Sequence, residues 1–445
     1  MVTILPALRQ VREDLAAILD RGAIERHCEA VGHRWRDRKL TPADVLHLFI
    51  LQILHNNTAM THLPCLAGAR FTTAAYCRAR RRLPLALFER LVAEVGRQAQ
   101  RSDRDMLWHG HRVYLEDGSG FSMPDTPALQ AHFGQPDAQR PGCGFPVAHM
   151  LCLLDGHGGF IRDVKISPYR THDMAHASAL HPALSPGDVL VGDRAFCSYA
   201  HLALVSQRKL HGLFRVHQRQ IVSFHPHRPS ANEVLGSGHP TSRWIQRLGT
   251  RDQLVKWRKP QSPPRWMTEA QFDALPDELL LRELKCRIID KAARVREITL
   301  VTTLLDAEKY PARALAELYR RRWQIEVDFR DLKITLGMDV LKGKSVDVVL
   351  KEAYVFILVY NLIRTVMAKA GRRQKVPPYR ISFIAALRWL RPPEPRRDWP
   401  TLIVNPSRPG RHEPRCRKRR MKQYDLMNRP RDELRKRLKK QRKAA

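Results

Sequence analysis

Hydrophobic positions along this chain change spacing three times, and each change predicts a different kind of structure. Up to about residue 105 the pattern is helical. Leu40-Thr41-Pro42-Ala43-Asp44 has an N-cap threonine, a proline at the first helical position and an acid at the third, ahead of the apolar run Val45 to Leu54, so a helix is predicted to begin at Thr41. After the polar break His55-Asn-Asn-Thr58 come an apolar patch, an Arg-rich segment from Phe71 to Leu83 with threonines to cap it, and a helix from Leu85 to Ala99. From Arg112 the period falls to two. Val113, Leu115 and Asp117 then share one strand face, with Gly118 expected to break the strand. Phe145 to Leu154 and Phe160 to Ile166 read as a hairpin around Asp155-Gly-His-Gly-Gly159, and Thr171 to Leu180 as a helix stopping before Pro182. Asp188 to Phe196 repeats the first device: Val189, Val191 and Asp193 share a face, and the aspartate falls where the strand runs out.

A helix from Tyr199 to Leu210 and a strand from Gly212 to Val216 follow. Residues 217–297 then interrupt the pattern with a segment rich in proline, histidine and basic residues, in which Glu283 to Ile289 reads as a strand; Glu297 to Leu304 reads as another. Trp244, Trp257 and Trp266 in this region suit either base-stacking platforms or ordinary core positions. Good helix formers return from Ala312 to about Leu336, where Leu318, Ile325, Phe329, Leu332 and Leu336 form an apolar stripe. Beside the stripe, Tyr319, Arg322, Glu326 and Lys333 fall within about 60° of one another on an ideal helix. One carboxylate would thus stand in line with three groups that suit phosphate. By charge alone a salt-bridged solvent face is the simpler reading, because Arg322 with Glu326 and Glu326 with Arg330 are i,i+4 pairs. Val346 to Ala370 reads as a second long helix whose apolar content predicts that it packs beneath the candidate site.

Composition adds a partner. The chain has 78 Lys and Arg against 44 Asp and Glu, a formal net charge of +34, and such a surface calls for a polyanion. A membrane is a poor candidate, since the most apolar segment, Ala353 to Ile363, is too short to span a bilayer. No secretory signal is expected at Met1 to Arg9, and the eight scattered cysteines read as reduced thiols in a cytoplasm. The last stretch, Arg408 to Ala445, is strongly basic, with six cations between Arg415 and Lys422. It is expected to be disordered alone and to clamp phosphates.

The motif Tyr319-x2-Arg322-x3-Glu326-x6-Lys333 resembles the third catalytic motif of the DDE transposases of bacterial insertion sequences, of the IS-four type. Asp193-Arg194-Ala195-Phe196 matches the second motif of that family, and Asp117-Gly118 lies where the first should. Glu116 and Asp125 compete for the first role; Asp117 is preferred because it shares its face with Val113 and Leu115, as Asp193 does with its valines. The gap of 133 residues from Asp193 to Glu326 fits the β-rich insertion that the family carries there.

The resemblance implies an α/β chain with a ribonuclease-H-like catalytic core at 106–216 and 298–345, divided by a β-rich insertion at 217–297. A helical DNA-binding domain at 1–105 would precede it, with helices at 346–407 and the basic tail at 408–445 behind. Three carboxylates, Asp117, Asp193 and Glu326, are the hard-oxygen ligand set for two Mg²⁺ ions, with Mn²⁺ as a substitute, in a phosphoryl-transfer site. Tyr319, Arg322 and Lys333 would grip DNA phosphates. The family implies double-stranded DNA as partner, in terminal inverted repeats and in target, and a homodimer in the synaptic complex, in a bacterial cytoplasm. A two-metal endonuclease without strand transfer, or a retired transposase that only binds DNA, are the alternatives.

Overall fold

The computed structural model of the 445-residue chain describes residues 3–36, 39–101, 107–231, 239–289, 295–391, 399, 401–406 and 429–444. It opens on α1 (Leu5–Val11), α2 (Glu13–Ile18), α3 (Arg21–Ala30), α4 (Pro42–Leu54), α5 (Leu63–Ala67), α6 (Thr73–Arg82) and α7 (Leu85–Arg101). The α4 start is as expected, with a reciprocal capping box: Asp44 N donates to Thr41 Oγ1 at 3.2 Å and Thr41 N donates to Asp44 Oδ2 at 3.0 Å. Thr72 caps the Arg-rich α6.

Nine strands among the described residues form one sheet. They are β1 (Val113–Ser122), β2 (Val147–Asp155), β3 (Ile161–Pro168), β4 (Val189–Gly192), β5 (His211–Arg215), β6 (Arg243–Gly249), β7 (Asp252–Arg258), β8 (Glu278–Ile289) and β9 (Val295–Thr302), in the spatial order β3-β2-β1-β4-β5-β9-β8-β7-β6. β1 pairs antiparallel with β2 and parallel with β4, and β4 pairs parallel with β5. Residues 217–297 therefore do not stand apart: β9 pairs with β5 on one side and β8 on the other, so the later strands extend the same sheet. β6 and β7 escape a pattern-based reading. β6 is an edge strand of mostly exposed Arg and Gln, a composition that blunts an open edge, and β7 buries Asp252 and Gln253 beside its valine and tryptophan.

α8 (Pro127–Phe133), α9 (Met174–Leu180), α10 (Tyr199–Gln207) and α11 (Glu269–Asp273) lie between strands. Alternation along the strands separates two cores. Val113, Leu115, Val189 and Val191 join the N-terminal helices and the later helices, whereas Tyr114, Leu151, Leu153 and Leu190 join α9 and α10.

Three expectations need correction. Gly118 does not end β1, because β2 carries the ladder on to Ser122 opposite Val147. The segment from Ala312 is not one regular helix: α12 (Ala312–Arg321) and α13 (Gln324–Arg330) are joined by a tightened turn, and a π turn follows at Asp331–Thr335. Part of the basic tail is helical, as α16 (Arg431–Ala444), with Asp432 and Glu433 in its first turn and cations in its last, which favours the helix dipole. Its cluster from Arg415 to Lys422 lies outside the described residues.

α14 (Val346–Arg373) runs through the interior, followed by α15 (Phe383–Leu390), and Ala353 to Ile363 lies buried within α14. No helix among the described residues is long and apolar enough to cross a membrane. Such a buried helix carries few polar groups, and those it has are used as ties. Asn361 accepts from Ile161 N at 2.9 Å and donates to Ile161 O at 2.8 Å, holding β3. Arg364, 1 % exposed, donates from Nε to Gly158 O at 2.9 Å and pairs through Nη2 with Asp328 of α13 at 3.3 Å. Gly159 follows with φ +69°, and a Cβ there would run into that guanidinium. Arg364→Ala would leave Asp328 buried without its cation, with an expected loss of roughly 3–5 kcal/mol. Urea unfolding measures it, and a loss under about 1 kcal/mol would remove the pair from the account of the fold.

Candidate active site

β1 and β4 part after a short parallel ladder. Its last pair is Leu115 with Val191, so Asp117 and Asp193 each lie two residues beyond the end of the ladder. The two carboxylates border the notch left where the strands part, and the charge of Asp193 is felt at Asp117. Period two puts both on the face of Val113, Leu115, Val189 and Val191, under the helices α12 and α13. Local backbone donors hold them: Gly118 N donates to Asp117 Oδ1 at 2.9 Å and Ala195 N to Asp193 Oδ1 at 2.7 Å. The rival acids go elsewhere. Glu116 is fully buried on the opposite face, 3.8 Å from His201 Nδ1, and Asp125 pairs with Arg431 at 2.9 Å.

Arg322 reaches into the notch from the turn between α12 and α13, with Nη1 at 3.0 Å from Asp117 Oδ2 and its guanidinium over the ring of buried Tyr319. Burial raises the Asp117 carboxyl from the ordinary 3.8 to about 6; Arg322 and the Gly118 amide oppose that, and the charges of Asp193 and Asp173 add to it. Hard oxygen donors gathered in a partly dry notch, with a side-chain cation already seated on one of them, fit a divalent cation.

Asp117, Asp193, Tyr319 and Arg322 thus come together. Glu326 is exposed, and among the described residues no three His, Cys, Asp or Glu side chains stand close enough to hold a metal ion. Lys333 lies further along, 3.3 Å from Asp339. The backbone along this segment departs locally from an ideal helix. Arg322 N and Trp323 N donate to Tyr319 O and Arg320 O, three residues back, and a 3₁₀-type step turns the chain about 120° per residue, not 100°. The π turn at Asp331–Thr335 disturbs the spacing again before Lys333.

Two residues near the notch were invisible to sequence reasoning. Asp173, expected inside a helix, stands at the N-terminal boundary of α9, and its Oδ1 lies 2.6 Å from His149 Nδ1. Nothing in their sequence spacing signals this, because the contact joins a strand to a helix start across the sheet. Of the three tryptophans in 217–297, Trp257 is core, donating to Glu283 at 2.9 Å; Trp266 packs partly buried against the same core, and Trp244 lies half-buried beside His227.

The architecture and the notch define an α/β protein with two carboxylates beneath an arginine-bearing turn between helices. The model of the transposase DDE domain family matches residues 108–362, more than half of the chain and all the strands described above, and the chain belongs to that family. It is similar to the transposase InsG for insertion sequence element IS4 of Escherichia coli (strain K12), 25% identical over 315 residues, covering 70% of this chain and 64% of that protein. It is also similar to the probable transposase for insertion sequence element IS5377 of Geobacillus stearothermophilus, 22% identical over 360 residues, covering 80% and 84%. Among solved structures, the cryo-EM piggyBac transposase synaptic complex with hairpin DNA aligns at a TM-score of 0.43 and 11% identity, over 88% of this chain and 80% of that one.

A raised carboxyl has a stability signature. The folded chain keeps the Asp117 proton up to about pH 6, whereas an unfolded chain releases it near 3.8. Between those values the unfolded state binds fewer protons, so stability falls as pH rises through the window. Asp117→Asn keeps the shape and removes the charge. In EDTA at pH 7.5 it is expected to be more stable than wild type by roughly 1–3 kcal/mol, the gap closing below about pH 4. A less stable variant at pH 7.5 would show that the Arg322 pair outweighs desolvation.

Proposed function

We propose that this chain is an insertion-sequence transposase that binds the terminal inverted repeats of its own element, cleaves DNA at their ends and joins them to target DNA. The observation that carries the reading is the placing of Asp117 and Asp193 two residues beyond the last pair of the β1–β4 ladder, with Arg322 on Asp117 and within reach of the charge of Asp193. Family membership and the names of the relatives support it. We further read β1 to β5, three antiparallel strands followed by two parallel to the first, as a ribonuclease-H-like core, with residues 217–297 as its insertion and 1–105 as the DNA-binding domain.

Asp117 and Asp193, with Glu326 as the third carboxylate, would hold Mg²⁺ or Mn²⁺, which when bound supplies Lewis-acid activation of the attacking hydroxyl and charge neutralisation at the departing oxygen. The rest of the work belongs to the chain. The Arg322 fork suits two oxygens of a phosphate, so DNA entering the notch competes with Asp117 for the guanidinium. Tyr319 fixes that arginine by stacking, and Lys333 follows the flanking backbone as a point charge. The net charge of +34 draws the duplex in and makes binding salt-dependent. Cleavage and joining at two ends call for two copies, which we take as a homodimer acting in the bacterial cytoplasm.

The exposed position of Glu326 favours one competing reading, a protein that binds the ends without cutting them. Glu326→Gln separates the two on a supercoiled plasmid carrying the element's ends in Mg²⁺. Wild type is expected to cut at the ends and the variant to bind them equally without cutting. If neither cuts in Mg²⁺ or Mn²⁺ the chain is a DNA-binding protein, and if both cut Glu326 is not the third ligand.

A further inference from the structure

We propose that the basic helix α16 is a DNA-contacting arm which Arg431 anchors beyond the end of β1, where it grips duplex phosphates outside the point of cleavage. The proposal rests on the transposase reading and adds to it a place for the arm and the residues that hold it.

The seat for Arg431 is built from the connection between β1 and β2. Asp125 Oδ2 lies 2.9 Å from Arg431 Nε, Gly144 O accepts from Arg431 Nη1 at 2.9 Å, and the guanidinium stands over the Phe145 ring, 4.5 Å from its centroid. Gln130 completes the seat, its Nε2 donating to Asp125 Oδ1 at 2.7 Å and to Gly144 O at 2.9 Å. The main chain joins in, with Arg431 N donating to Gly142 O at 3.2 Å. The Arg431 and Asp125 side chains are 17% and 15% exposed, so solvent screens this pair less than the exposed Arg435–Asp432 pair of the same helix. Asp125, which takes no part in the notch, thus has a use of its own.

Past the seat the helix buries almost nothing. Residues Arg435 to Lys443 are all exposed and carry seven cations and no acid. Of these seven, only Arg435 has an ion pair among the described residues, with Asp432 inside the helix. Arg435 with Lys439, Lys436 with Lys440, and Lys439 with Lys443 are like charges four residues apart, and they oppose the helix until an anion neutralises them. Leu434 and Leu438 are its only large apolar residues, too few to seat it in a lipid surface, so its charge fits the phosphates of a duplex.

The seat's position relates the arm to the notch. Three basic residues are tied to β1 and its extension in order: Arg322 to Asp117; Lys333 to Asp339, whose carbonyl accepts from Ser122 N at 3.0 Å; and Arg431 to Asp125. At about 3.3 Å per residue, Asp117 and Ser122 lie roughly 17 Å apart, the length of about five base pairs. A duplex with its reacting bond in the notch and its flank along this row meets α16 beyond that distance.

Hydroxyl-radical footprints and salt titrations on a duplex carrying the element's end, in Ca²⁺, test the arm and its anchor separately. The variants are a chain ending at Asn428, Asp125→Ala, Arg431→Gln and Arg431→Lys. Truncation is expected to lower the slope of log affinity against log salt by roughly 3–4, at about 0.9 for each phosphate released, and to erase a protected patch more than about five base pairs from the cleavage position. Asp125→Ala and Arg431→Gln should keep the slope within about one of wild type yet lose the patch, because the charge stays and the anchor goes. Arg431→Lys, which keeps the ion pair, should retain the patch. If the truncated chain has the slope and footprint of wild type, α16 does not touch DNA and the proposal fails. If truncation lowers the slope but Arg431→Gln keeps the patch, the arm binds without its anchor and the role given to Arg431 and Asp125 fails. If wild type shows no preference for the element's end over unrelated duplex, the transposase reading fails, and it does so with or without α16.

Discussion

Two aspartates set side by side in a half-buried notch repel each other and lose hydration, and much of the surrounding structure answers that cost. Each carboxylate takes a backbone N–H from one or two residues downstream, and one takes a guanidinium. Even so, Asp117 remains a weaker acid than usual, because burial and its acidic neighbours outweigh those donors. A site that is short of positive charge when empty is one that a divalent cation or a cationic side chain stabilises on arrival. Arg322 plays that part at Asp117.

That arrangement depends on holding α12 and α13 against the sheet. The helices have apolar contacts there through Leu318, Ile325 and Phe329, but apolar contact alone lets a helix slide. The Arg364–Asp328 pair, buried at both ends, fixes α13 to the long interior helix, and the same guanidinium grips the β2–β3 turn at Gly158. One side chain therefore sets the distance between the Arg322-bearing helix and the hairpin that carries His149. A buried pair of this kind gains little net stability over a well-packed apolar one; what it supplies is a single registry.

Much of the fold was legible because it rests on local rules. Thr41-Pro42 marks a helix start wherever the helix later packs, and alternation from Val113 to Asp117 and Val189 to Asp193 assigns faces before any partner strand is known. The parts that were not legible depend on partners. Gly118 looks like a strand breaker until β2 is laid beside it, and β6 and β7 have too many polar residues to announce a strand without a neighbouring sheet edge. The helical stretch at Arg431 to Ala444 carries a charge density that suggests disorder, although its first-turn acids and good helix formers allow the helix.

The candidate site divides the same way. By itself the sequence determined the helix starts, the two strand faces, the spacing of Asp117, Asp193 and the Tyr-Arg-Glu-Lys motif, and the need for a polyanionic partner, since these follow from residue type and period alone. The tertiary structure decided which groups meet: that Glu116 turns inward, that a tightened turn separates Arg322 from α13, and that Asp173 and His149 close over Gly118. Those outcomes turn on which backbone lies opposite which, and on hydrogen-bond patterns that depart from the ideal helix, and no periodicity in a single chain encodes either.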